Sequence, residues 1–98
     1  MIGVNVSFQY EGSFDRARVI GIADQARARF EGMPGLRSKL FSVLPELREA
    51  RNLYVWDDPE AARRLFTPES RDRIAALYGV QPIIEYAEVC ALVENSRV

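Results

Sequence analysis

The chain has 98 residues, 48% of them hydrophobic, which is typical of one folded domain over residues 1–98 and excludes a disordered segment. Its 13 basic and 14 acidic residues are interspersed, and the net charge of −1 argues against nucleic acid or an anionic membrane as a partner. The absence of histidine excludes Ser-His and Cys-His triads and a histidine ligand to haem, and the single cysteine, Cys90, excludes an intrachain disulfide.

The first ten residues alternate between apolar and small or polar side chains, and this period of two predicts a strand with one apolar face. The apolar positions are Ile2, Val4, Val6, Phe8 and Tyr10. The alternation is unlike the apolar block of a signal peptide, and no stretch of the chain is apolar for long enough to span a bilayer. We therefore expect a cytoplasmic protein.

An amphipathic helix is predicted after the first strand. Ser13 is its expected N-cap, and Asp15 is expected in the first turn, where the helix dipole favours a negative charge. Apolar residues then recur at helical spacing as Val19, Ile22, Ala23, Ala26 and Phe30. Gly32 fits the residue after the helix, and Pro34-Gly35 turns the chain.

Two further strands are predicted over residues 36–43 and 50–56, joined by a loose hairpin turn. Asp58 followed by proline and glutamate is a typical helix start, and the same pattern recurs at Thr67. We therefore expect one helical region that is broken or kinked at Thr67-Pro68 and ends at Gly79.

The last segment, residues 83–93, is apolar at both odd and even positions, which predicts a strand buried on both faces. Two helices cover only one face of a sheet, so the other face needs a second cover. An isologous homodimer would supply it with the same surface on each subunit. The pattern thus predicts an α+β domain of order β-α-β-β-α-β that dimerises through its open sheet face.

A series of short motifs lies between Pro34 and Asp58. The residues that form them are Pro34, Gly35, Leu36, Lys39, Phe41, Glu49, Ala50, Leu53, Tyr54, Val55, Trp56 and Asp58. With this spacing the segment resembles the YdhR-like monooxygenases of the dimeric α/β-barrel superfamily. Residues 12–14 and 79–80 are similar as well, so the resemblance covers most of the chain, whereas Ser38 stands where the family has a bulky aromatic residue.

The resemblance implies a ferredoxin-like fold with a four-stranded antiparallel sheet and helices on one face, which dimerises through its sheets into an α/β barrel. It also implies a pocket between each sheet and its helices. In related enzymes a phenol or quinol-like substrate supplies electrons to oxygen without metal or flavin. A monooxygenase that needs no cofactor is therefore the function that the resemblance implies, as an analogy of fold.

Asn52, Tyr54 and Trp56 share one face of a predicted strand, where an amide and two aromatic rings would suit a planar aromatic ligand. The alternative is a stripe of the core or of the dimer interface. Lys39 lies in the preceding strand and would hold a substrate anion or stabilise a phenolate, unless it is a charge that protects a sheet edge from pairing.

Two glutamates in the last strand, Glu85 and Glu88, have opposite parity, and each would be a base only if buried. Cys90 in the same segment is expected to be a small buried apolar residue. We expect no metal and no cofactor at the site.

Three functions from different classes remain open. The first is the oxygenase, which would act on a small phenol or quinol-like molecule held by Lys39, Asn52, Tyr54 and Trp56. The second is a protein of the same fold that binds a small molecule without converting it. The third is an RNA-recognition module, which has the same order of elements and displays aromatic residues on its first and third strands.

Overall fold

The computed structural model describes residues 1–95 of the chain. In chain order the elements are β1 (Ile2–Gln9), α1 (Arg16–Phe30), β2 (Leu36–Leu44), a 3-10 turn (Pro45–Leu47), β3 (Glu49–Trp56), α2 (Pro59–Leu65), α3 (Pro68–Tyr78) and β4 (Ile83–Glu88). These elements confirm the predicted α+β, ferredoxin-like class. None of the helices in this part of the chain is long and apolar enough to cross a membrane.

The four strands form one antiparallel sheet in the order β2-β3-β1-β4, so β1 and β3 are central and β2 and β4 are edges. Val4 of β1 faces Tyr54 of β3 on one side and Tyr86 of β4 on the other. Since side chains alternate along a strand, this register puts the even-numbered residues of β1, β3 and β4 on one face of the sheet.

The even-numbered face packs against the helices. Val4, Val6 and Phe8 are almost fully buried there, and Ala50, Tyr54 and Trp56 of β3 join them. The helices contribute Val19, Ala61, Ala62 and Tyr78, and Phe66 joins them from the link between α2 and α3. The apolar half of the alternation in β1 thus faces the core, and the helices cover one face of the sheet, as predicted.

The helix boundaries follow from their caps. The predicted cap at Ser13 is wrong, because the side chain of Asp15 accepts the hydrogen bond from Arg18 N at 3.0 Å and the helix begins one residue later. The predicted caps Asp58 and Thr67 each accept a hydrogen bond from a backbone amide of their own helix. The predicted break at Thr67-Pro68 is confirmed, since α2 ends at Leu65 and α3 starts at Pro68.

Strand β4 differs most from its prediction. It ends at Glu88 rather than at residue 93, because Glu88 pairs with Ile2, where its only neighbouring strand begins. It is also the least buried strand, with Ile83 46% exposed and Tyr86 52% exposed. Burial on both faces is therefore wrong for the single chain, and Cys90, predicted to be buried, is exposed.

Candidate functional site

A small cavity lies between the sheet and the helices, and an open groove lies beside it between α1 and β2. The cavity holds about 110 Å³ and the groove about 910 Å³. The residues that line both spaces, and so mark their junction, are Phe30, Lys39, Phe41, Asn52 and Tyr78. Three of the four predicted site residues, Lys39, Asn52 and Tyr54, line the cavity, and Trp56 does not.

Register brings the predicted residues together. Lys39 is the partner of Tyr54 across β2 and β3, and Phe41 is the partner of Asn52. Side chains of such pairs stand about 5 Å apart on the same face of a sheet. A bulge between Leu36 and Ser38 removes Arg37 from this register, and its guanidinium pairs with Asp57 and Glu94 on the protein surface instead.

Three aromatic rings surround the amine of Lys39. Its Nζ lies 3.3 Å from the centre of the Phe30 ring, 4.2 Å from that of Phe41 and 4.3 Å from that of Tyr54. None of the ion pairs within residues 1–95 includes this amine. Although β2 is an edge strand, Lys39 is turned towards the helices and half-buried, so a charge that only guards the edge does not describe its position.

The surroundings of Lys39 favour its neutral form. The pKa of the amine is lowered from 10.5 to about 7. Burial is the larger cause, and the nearby positive charge of Arg29 is the smaller one. The ring faces attract the ammonium form and oppose the shift, but cation–π attraction is worth only about 0.5–2 kcal/mol. Near neutral pH the cavity therefore contains an amine that both accepts and donates a proton.

A hydrogen bond joins β3 to α3 beside the cavity. Asn52, which is 4% exposed, donates from Nδ2 to the hydroxyl oxygen of Tyr78 over 3.1 Å. The Tyr78 ring stacks on Phe8 with 3.8 Å between the ring centres, and its carbonyl accepts a 2.7 Å hydrogen bond from the Tyr10 hydroxyl. Tyr78 is thus held by its ring, its hydroxyl and its backbone.

Burial raises the pKa of the Tyr78 hydroxyl, although the hydrogen bond from Asn52 acts in the opposite direction. Burial also raises the pKa of Tyr54, and Tyr78 adds to that rise. Both hydroxyls therefore keep their protons at neutral pH and are hydrogen-bond donors rather than bases.

Trp56 lies behind the cavity rather than in its wall. Its ring is stacked with that of Tyr54, with 6.0 Å between the centres, and it meets Phe66 edge-on. Its indole Nε1 is buried and has no hydrogen-bond partner within residues 1–95. Trp56 thus fixes the ring of Tyr54 from behind.

The other candidate bases lie elsewhere. Glu85 and Glu88 are exposed on β4, so neither is the buried base that was considered. No group of three or more metal-binding side chains of Cys, Asp or Glu occurs within residues 1–95.

The sequence did not reveal the helix side of the site. The sequence predicts Phe30 on the apolar face of its helix, but it identifies neither Phe30 nor Tyr78 as a neighbour of Lys39 or Asn52. Both are distant in sequence from the strands they meet. The aromatic residue Phe30 at the end of α1 was the available signal, but it is the packing of α1 on β2 that brings its ring beside Lys39.

The RNA-recognition hypothesis loses the residues on which it depended. It requires aromatic rings of β1 and β3 on the open face of the sheet. Phe8, Tyr54 and Trp56 instead face the helices and are at most 4% exposed. Neither β1 nor β3 has an aromatic residue of the opposite parity.

The fold is shared with several solved structures. One is a mutant of SnoaB, a cofactor-independent oxygenase from Streptomyces nogalater, with 18% identity, a TM-score of 0.69 and coverage of 96% of this chain and 97% of that chain. Another is the monooxygenase of the ActVA-Orf6 gene of Streptomyces coelicolor in complex with Nanaomycin D, with 18% identity, a TM-score of 0.67 and coverage of 97% and 92%.

The chain has the fold of these monooxygenases. The same fold also occurs in NE2512 from Nitrosomonas europaea, a protein of unknown function, with 13% identity, a TM-score of 0.68 and coverage of 98% and 95%. A scan against protein-family models finds no match, and a search of curated proteins finds none. Such identities show the fold and not the reaction, and membership of the YdhR-like family stays a prediction.

Proposed function

We propose that the chain is a cofactor-independent monooxygenase for a small phenol or quinol-like aromatic that binds at the junction of cavity and groove. The observation that carries the proposal is the composition of this junction. An amine of lowered pKa, a tyrosine hydroxyl and a buried amide lie there among aromatic rings. Predominantly apolar walls with a few polar groups suit a planar aromatic ligand.

The two spaces set the size of the substrate. An apolar cavity of about 150 Å³ holds benzene, so the 110 Å³ here has room for one ring at most. The remainder of the molecule would lie in the groove, where α1 and β2 form the walls. The substrate hydroxyl would then be at the junction, beside Lys39, Asn52 and Tyr78.

Lys39 is the proposed base. At a pH near its pKa of about 7, roughly half of the molecules hold a neutral amine. This amine takes the proton of the substrate hydroxyl, and the resulting ammonium group stabilises the phenolate. The same group later returns the proton to the peroxide, so the lysine is unchanged after one turnover.

Tyr78 is the proposed donor to the phenolate oxygen. Its hydroxyl oxygen already accepts a hydrogen from Asn52, so its own hydrogen is free for another acceptor. Asn52 and the stacking on Phe8 fix the direction of that hydrogen. A donor fixed before the reaction stabilises developing negative charge without further reorganisation. Tyr54 forms a wall of the cavity, and Trp56 supports it.

The substrate supplies the electrons. The phenolate transfers one electron to O2, and the superoxide combines with the ring radical at the carbon para to the oxygen. The O–O bond of the protonated peroxide then breaks as the para carbon loses its hydrogen as a proton, so one oxygen atom stays on the ring as a carbonyl and the other leaves as water. Phenol plus O2 gives quinone plus water, which balances without an external reductant. The enzyme contributes positioning, proton transfer and exclusion of water.

Oxygen uptake tests this proposal. Purified protein is mixed with a panel of phenols, naphthols and quinols in the presence of EDTA, and O2 is followed with an electrode. We expect uptake above the rate without protein, and a loss of about 10²–10⁴-fold in Lys39→Met, the range typical of a general base. Arg63→Gln, an exposed change on α2, is the matched control. No uptake by folded protein across the panel would refute the proposal.

The second function, binding without conversion, is supported by the small size of the cavity. Native mass spectrometry of freshly purified protein distinguishes the two. A retained aromatic molecule that is released unchanged in air supports binding alone, and an oxygenated one supports the enzyme.

We also propose a cytoplasmic homodimer that forms through the open sheet face and closes into an α/β barrel. Three exposed apolar residues lie on the face of the sheet opposite the helices. They are Leu53 of β3, its partner Leu40 of β2, and Ile83 of β4. The side-chain oxygen of Asn5, in the middle of β1, is buried and has no hydrogen-bond partner within residues 1–95. Removing such apolar residues from water favours association.

A further inference from the structure

The amine of Lys39 is accessible from two sides and pairs with no carboxylate of residues 1–95. It lines both the cavity and the groove, so a small molecule in either space reaches it. Its three neighbouring rings offer π faces rather than hydrogen-bond acceptors. These ring faces donate no hydrogen bond to the lone pair of the neutral amine, which therefore stays available for reaction.

Charged residues from α1, α3 and β2 line the two spaces beside Lys39. Arg29 lies on the cavity side of α1, and Arg73 on that of α3. The groove side has Asp24 and Arg27 of α1, Glu31 directly after that helix, and Arg37 of β2. The remaining titratable groups of the cavity wall are the hydroxyls of Tyr54 and Tyr78, which stay protonated. On the cavity side the formal charges are thus positive, which favours an uncharged amine.

We propose that Lys39 is a carbonyl-binding nucleophile, which forms an imine with small aromatic aldehydes that enter the cavity. A lysine desolvated among apolar groups and placed near another cation is the arrangement that activates an amine for this chemistry. This activity goes beyond the proposed oxygenase, because it needs neither O2 nor a phenol.

The reaction balances without a further reactant. The Nζ lone pair attacks the carbonyl carbon, and the carbonyl oxygen takes up a proton to give a carbinolamine. The carbinolamine loses one water molecule as the C=N bond forms. The aldehyde and the amine thus give an imine and water. The rings of Phe30, Phe41 and Tyr54 would pack on the aromatic part of the aldehyde, which favours aromatic over short aliphatic aldehydes.

Labelling of primary amines tests the proposal, because the chain contains a single lysine. Lys39 is the only lysine of the 98 residues, so a protein expressed from this sequence has two primary amines, Nζ of Lys39 and the α-amino group of its first residue. The protein is incubated under nitrogen with benzaldehyde and sodium cyanoborohydride, which reduces the imine to a stable benzyl adduct. Intact mass and peptide mapping then give the labelling rate of each amine, in buffer and in 8 M urea, at about pH 7.

In urea an ordinary lysine of pKa near 10.4 should react roughly tenfold or more slowly than the α-amino group, because few molecules hold it neutral at pH 7. In the folded protein we expect the ratio of the Lys39 rate to the α-amino rate to rise by more than tenfold. Lys39→Arg keeps the positive charge and should leave only the α-amino label. A ratio that rises by less than tenfold on folding overturns the proposal, independently of any result with oxygen.

Discussion

Replacing Tyr78 by phenylalanine removes one hydroxyl from the interior and keeps the ring that stacks on Phe8. Asn52 then loses the acceptor of its 3.1 Å hydrogen bond, although its side chain stays buried. A buried donor without a partner costs about 1–3 kcal/mol. We therefore expect Tyr78→Phe to lower the free energy of unfolding by this amount, and Tm by about 4–8 °C for each kcal/mol in a domain of this size.

A double-mutant cycle separates the hydrogen bond from the other effects of the change. Unfolding in urea is followed by the fluorescence of Trp56, the only tryptophan, in Tyr78→Phe, Asn52→Ala and the double mutant. We expect a coupling energy of about 0.5–1.5 kcal/mol between the two positions. Tyr86→Phe, at an exposed tyrosine, should change stability by less than about 0.5 kcal/mol. Additive effects of Tyr78→Phe and Asn52→Ala would refute the hydrogen bond.

Three further predictions concern charge, backbone and assembly. Burial lowers the pKa of Lys39 to about 7 in the folded chain, so the unfolded chain binds more protons between about pH 7 and 10.5. The free energy of unfolding of the wild type should therefore rise relative to that of Lys39→Met as the pH rises through this window. Urea titrations at several pH values measure this difference. Gly35→Ala should cost more in thermal unfolding than Gly12→Ala, since both have a positive φ but a Cβ at Gly35 would lie 2.6 Å from that of Ala61; equal losses would contradict the packing there. If the proposed dimer forms through the open sheet face, Leu53→Glu should sediment as a monomer where the unchanged chain sediments as a dimer, and a variant dimer of unchanged stability would place the interface elsewhere.

The fold was predictable because local signals agree along the chain. The alternation of β1 survives in the structure as one buried and one open face, and the caps Asp58 and Thr67 start helices where their side chains predict them. The cap at Ser13 was wrong because a second cap residue, Asp15, lies two positions further on. Local sequence does not decide between two such candidates, whereas the packing of the helix does.

The length of β4 was not predictable from its own residues. Apolar residues continue to Val93, but a strand needs a neighbour, and β1 offers none beyond Ile2.

Only part of the site was predictable, because it too depends on contacts between distant segments. Spacing within β3 places Asn52 and Tyr54 on one face, but the parity that meets the helices depends on contacts between distant segments. The ring of Phe30 and the hydroxyl of Tyr78 join the site through such contacts.

The central claim is that this chain inserts one atom of O2 into a bound aromatic, with Lys39 as base and the substrate as reductant. Turnover under 18O2 in the presence of EDTA, with the product analysed by mass spectrometry, tests it most directly. We expect one 18O atom in the product carbonyl, labelled water in equal amount, and strong loss of both in Lys39→Met. A product whose new oxygen comes from solvent water, or hydrogen peroxide formed in place of labelled water, would contradict the claim.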